Sequence, residues 1–167
     1  MSTFTTPEVI YVHPTAERFK KKVKEEYHFP LDLKEFDEGT KTAADAAEAI
    51  GCEVSQIAKS IVMDAEGNLY VVITSGVNRV DEDKLADKLG VDPKTVSPAN
   101  PDRVKQELGW GIGGVPPFAH DSTPRVFLDS QLEEFDTIWA AAGTPNAVFS
   151  ISPERLKEFV KPETINL

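Results

Sequence analysis

The amino-acid sequence predicts an α+β domain with a mixed sheet. Three observations carry that expectation: the β-branched apolar runs are short, helical patterns are interspersed among them, and two of the runs meet through a glycine turn as a hairpin. A regular βαβ series would join its strands through helices instead.

Thr15 opens the first helix, with Phe19, Val23 and Tyr27 four residues apart on one face and Arg18, Lys20, Lys21, Lys22 and Lys24 around the rest. LDLKEF follows as a short extended piece. Thr42, with Asp45 three residues on, has N-capping form and begins a helix through Ala43, Ala44, Ala46, Ala47, Ala49 and Ile50 that stops at Gly51. KSIVMDA, the turn EGN and LYVVITS form the hairpin. Asp81 caps a helix carrying Leu85 and Leu89, ended by Gly90. Asn100-Pro101 has N-cap and first-turn chemistry for DRVKQEL, stopped by Gly109. RVFLD, IWAA and AVFSI read as strands, and Ser152-Pro153 starts a last helix with Leu156, Phe159 and Val160 apolar.

With 167 residues and no repeats, low-complexity segments or linkers, residues 1–167 are expected to form a single domain. No apolar run approaches the roughly 20 residues a membrane span needs. The start, MSTFTTPEVI, has no charged-then-apolar signal, so a cytoplasmic location is expected and a membrane partner is not. The single cysteine, Cys52, excludes an internal disulfide and reads as a packing residue at a helix end. His13, His28 and His120 are scattered without cysteine or spaced carboxylate partners, so neither a metal nor a cofactor is expected. A net charge of −10 argues against non-specific duplex DNA binding but leaves room for a local basic patch. The acidic surplus equally suits a high-salt surface.

Two stretches depart from ordinary packing. In QIAKSIVM, Lys59 puts an ammonium among Ile57, Ala58, Ile61, Val62 and Met63. Burying it unpaired would cost several kcal/mol, so it must snorkel, pair or face a cavity. GWGIGGVPPFAHD, residues 109–121, sets four glycines and two prolines around Ile112, Val115 and Phe118. Such a loop either offers main-chain groups to a ligand or is a buried turn with a hydrophobic anchor. It is no phosphate loop, because no Gly-Lys-Ser/Thr follows. Gly143, Thr144, Pro145 and Asn146 fit a hairpin turn. In SGVNRVD, Asn78 and Arg79 have turn and cap roles as their default, with ligand contact as the alternative. Neither a G-x-S-x-G elbow nor a Cys–His pair is present.

HPTAERF, TKTAADAAEAIGC, QIAKSIVM, TSGVNRVDEDKLADKLG, GWGIGGVPPFAH and WAAAGTPNAVFSISPERL together resemble the YbaK/EbsC family, from about His13 to Leu156. That family is related to the editing domain inserted in bacterial prolyl-tRNA synthetases. The resemblance implies a mixed parallel/antiparallel, β-barrel-like sheet surrounded by helices. It also implies hydrolysis of the ester of misacylated tRNA, often tRNA for proline. The expected partners are the acceptor end of aminoacylated tRNA and a prolyl-tRNA synthetase. Lys59 matches the family lysine, and Gly113 through Pro117 match its G-x-x-x-P element. Lys59, Gly113 and Gly114 are therefore expected to be catalytic. Val115, Pro116, Pro117, His120, Asn78, Arg79, Gly143, Thr144 and Asn146 are expected to bind substrate. Ala119 departs from the pattern, where glycine is expected before the histidine. A non-catalytic module holding a small ligand or partner segment in the same pocket is the alternative.

Overall fold

The computed structural model describes residues 13–36 and 42–167. The first part of TKTAADAAEAIGC, Thr40 and Lys41, lies outside the described residues. At the centre stands the hairpin β2 (Ile57–Ala65) and β3 (Asn68–Ser75), in register from Ala58↔Ser75 to Ala65↔Asn68. Its turn is Glu66-Gly67, both with positive φ (52° and 86°), and Asn68 already belongs to the strand. A two-residue loop with both central residues left-handed matches the strand twist, and glycine adopts it without strain.

The hairpin grows outward on both sides. β3 pairs in parallel with β5 (Arg125–Asp129), which pairs in parallel with β8 (Glu163–Ile165). The opposite edge of β2 is shared. Its first residues pair in parallel with β6 (Ile138–Ala141), Ile57↔Trp139 and Ala58↔Ala140. Its last residues pair antiparallel with β4 (Val96–Pro98). β6 forms a second hairpin with β7 (Ala147–Ile151), and β7 carries β1 (Leu33–Glu35). Among the described residues, the order β1-β7-β6-β2-β3-β5-β8 is thus a mixed sheet of eight strands, counting β4 beside β2.

Helices lie on both faces, as the strand period of two requires. Ala58, Val62, Val71, Ile73, Val126 and Leu128 share a core with Phe19 and Val23 of α1 (Pro14–Tyr27). Val104 and Leu108 of α4 (Pro101–Leu108) and Leu156 of α5 (Pro153–Val160) complete that core. Met63, Ala65, Val72 and Phe127 point the other way, onto Leu85 and Ala86 of α3 (Glu82–Leu89). Ile57 meets Ala46 and Ala47 of α2 (Ala43–Ile50), where the Thr42–Asp45 capping box forms as expected. Ser152 and Asn100 cap α5 and α4, each with proline at the helix start. α1 begins earlier than its pattern suggests, with His13 as its cap, because the Nδ1 of His13 accepts the Thr15 amide. None of the described helices is long and apolar enough to cross a membrane.

Strands β4 and β8 do not stand out in the sequence. Each has three residues and is held by one neighbouring strand rather than by a pattern of its own.

Candidate active site

Alternation along β2 sends Lys59 to the face of Ile57 and Met63, between the α2 and α3 clusters. There it is half-buried, and its Nζ donates to the backbone carbonyl of Asn78 at 3.3 Å. Among the described residues no carboxylate pairs with it. Burial first, and the Arg79 guanidinium second, push the Lys59 pKa down. The ammonium is therefore held at a cost that an incoming anion would relieve.

Asn78 is itself fastened in place. Its amide nitrogen donates to Ser75 O at 2.9 Å, and its side chain donates to Asp129 Oδ2 and Gln131 Oε1, both at 2.9 Å. Asp129 is 1% exposed and also accepts the amides of Ser75 (2.9 Å) and Gln131 (3.1 Å). The parallel pairing Ile73↔Leu128 brings the ends of β3 and β5 together, which is what sets Ser75 beside Asp129. Sequence reasoning missed Asp129, Gln131 and Ser75. The available signal was the aspartate ending RVFLD, a cap residue at a strand end, which reads by itself as ordinary helix-start chemistry.

The glycine–proline loop is largely buried, with Gly114 through Ala119 inside and Gly111–Gly113 nearer solvent. Two aromatic residues anchor it. Trp110 is 1% exposed and its indole N–H donates to Ala119 O at 3.1 Å. Phe118 packs against Phe19, Tyr27, Phe149 and Phe159 with centroids 5.0–5.9 Å away. The hydrophobic anchor of the loop lies below, and a main-chain rim lies above it. On the rim, Gly113 has φ 91°, and the Gly114 amide donates to Gly111 O at 3.1 Å. The amides of Gly113 and Val115 have no acceptor among the described residues.

Gly114 is packed closely against a second loop. A Cβ there would stand 2.6 Å from Thr144 Cα and 2.8 Å from Gly143 C, so that side is filled by backbone. The glycine permits two loops to touch. Gly143 (φ 93°) lies under Trp110, Thr144 is 7% exposed, and Asn146 is exposed at the turn.

His120 lies within 2.7 Å of Pro116 O through its Nε2, which must carry the proton to make this bond. Burial pushes its pKa down; the Pro116 contact and Asp121 oppose the shift, and Lys22 adds to it. The ring is accordingly neutral near pH 7 and straps Pro116. Ala119 adopts φ 65°, a left-handed conformation that costs a non-glycine residue about 1–2 kcal/mol. Glycine would remove that cost but lose a buried methyl, about 0.8 kcal/mol, and about 0.5–1 kcal/mol of chain entropy. The balance is near zero, so alanine is accommodated at this left-handed position at little net cost.

Lys59, Asn78 and Arg79 thus form one group, and Gly113–Pro117, His120, Gly143 and Thr144 form another. The β2–β6 pairing joins them. Ala58 pairs with Ala140, and β6 then runs alongside Lys59 into the Gly143 turn on which Gly114 rests.

The chain is similar to known proteins. A family model described as an aminoacyl-tRNA editing domain matches residues 37–159. YwhH of Bacillus subtilis (strain 168), itself uncharacterized, is 34% identical over 129 residues, 77% of this chain and 80% of that protein. The proline–tRNA ligase of Ligilactobacillus salivarius (strain UCC118) is 27% identical over 111 residues, 66% of this chain but 19% of the ligase. A crystal structure provisionally described as a trans-editing enzyme for prolyl tRNA synthetase superposes with a TM-score of 0.87 at 34% identity, covering 93% of this chain and 98% of that one. Fold and sequence agree, and the chain belongs to the aminoacyl-tRNA editing domain family.

Proposed function

We propose that this protein is an aminoacyl-tRNA deacylase acting in trans on mischarged tRNA of the proline type. The observation that carries the reading is Lys59: among the described residues, a half-buried ammonium held by a main-chain carbonyl alone, on a strand paired with the one that leads to the Gly143 turn under the glycine loop. Such a cation is available to a substrate anion. The proline preference rests on the ligase and the trans-editing structure to which the chain is similar.

The chemistry is ester hydrolysis. Water adds to the carbonyl carbon, the carbonyl oxygen becomes an oxyanion, and collapse breaks the bond to the ribose oxygen, which leaves with a proton. The Gly113 and Val115 amides and Lys59 are donors for the developing negative charge. His120 spends its Nε2–H on Pro116 O, and the role of orienting the water is assigned to the vicinal ribose hydroxyl of the tRNA itself. The test is deacylation across a panel of mischarged tRNAs by the wild type and by Lys59→Ala. Removing one such donor should lower turnover by about 100- to 1000-fold with the fold intact. Full turnover in a folded variant would refute the role of Lys59, and saturable binding without turnover in the wild type would make the protein a binding module.

A further inference from the structure

A cleft of about 630 Å³ opens beside the glycine loop, lined among others by Arg18, Lys105, Ile112, Asp121, Gly143 and Thr144. Its volume suits a ligand of nucleotide size. In a chain of net charge −10 its polar side is basic. Asp121 is paired with Lys22 at 3.1 Å, which leaves Arg18 and Lys105 as uncompensated cations among the described residues. Arg18 is held in one posture before any ligand arrives. Its Nη2 donates to Gly109 O at 2.6 Å, and its guanidinium lies 4.1 Å from the Trp110 ring centroid. Ile112 is 52% exposed, a large apolar side chain in water at the cleft wall.

The placement matters as much as the charge. Gly143 and Thr144 line the cleft together with Gly111 and Ile112 of the glycine loop, and they are also the backbone on which Gly114 rests, so the cleft borders the loop directly. A strand whose terminal ester lies at that loop has this basic cleft next to it. We propose that the cleft is a phosphodiester site for single-stranded RNA, taking the backbone of the tRNA 3′ end with a base against Ile112. This departs from a plain reading of the α1 lysines as one solvent face. Lys22 is turned to Asp121, and the docking charge comes from Arg18 with Lys105 on α4.

The choice of RNA rests on the deacylase reading, and the test separates the two. Binding is measured with an uncharged RNA minihelix bearing a single-stranded CCA end and with the same duplex cut blunt. Lys105→Gln should weaken the overhang-bearing RNA about five-fold at about 0.1 M salt and flatten the log–log salt slope by about 0.7, the release from one single-strand phosphate. The blunt duplex should be unaffected, as should Lys88→Gln on α3 with either RNA. An unchanged affinity in Lys105→Gln, or equal losses with both RNAs, would overturn the site. If the wild type binds the overhang in this way but hydrolyses no ester, the deacylase reading falls and the site stands. If it hydrolyses esters with the same KM in Lys105→Gln, the site falls and the deacylase stands.

Discussion

Lys59 acts through the company it keeps. Its carbonyl partner belongs to Asn78, and Asn78 is positioned by a carboxylate, Asp129, that is 1% exposed and accepts three hydrogen bonds. Asparagine at 129 has nearly the same shape but one acceptor oxygen. At least one of the Ser75, Asn78 or Gln131 donors would face an NH₂ group, which costs about 1–3 kcal/mol. Asp129→Asn should therefore lower the melting temperature by several degrees. It should also reduce kcat by about ten-fold well below that temperature, since Lys59 loses its fixed anchor. A lowered melting temperature with kcat unchanged would confine Asp129 to the fold.

At the scale of elements, the proposed catalytic rim is two loops in backbone contact. The glycine–proline loop is pinned from below by Phe118 and Trp110 and from the side by Thr144. Gly114→Ala would put a methyl group 2.6 Å from Thr144 Cα, which no rotamer change relieves. The loops must part, at about 1–3 kcal/mol for overpacking. Turnover should fall more than RNA affinity does, because the Gly113 and Val115 amides move while the Arg18–Lys105 cleft keeps its charges. The expected result is a lower melting temperature together with a kcat/KM loss larger than the loss in RNA binding. A variant with wild-type melting temperature would mean that the loops do not pack this way.

Over the whole molecule, 28 acidic against 18 basic residues repel one another in the compact state. Screening weakens that repulsion, and it weakens phosphate binding in the cleft as well. Raising salt from about 0.05 to 0.5 M should thus raise the melting temperature while lowering RNA affinity, two responses of opposite sign measurable on one sample. A melting temperature that falls with salt would show that ion pairs such as Arg103–Asp64, at 2.6 Å, outweigh the net charge.

Much of this protein was legible in its sequence because local chemistry carried it. The Thr42, Asp81, Asn100 and Ser152 caps, the glycine stops and the central hairpin all formed where their residues indicate. The ammonium of Lys59 and the glycine–proline loop also stood out, since each breaks a local rule. Long-range contacts decided the rest. That β2 pairs in parallel with β6, joining Lys59 to the Gly143 turn, is a meeting of residues about 80 apart in the chain, for which no local preference exists. Asp129 looks like any cap until β3 and β5 lie side by side, and nothing local announces that the Thr144 backbone fills the space beside Gly114. Sequence determines what each segment prefers; only tertiary structure decides which side of a residue faces protein and which faces a ligand, because that depends on atoms brought from elsewhere in the chain.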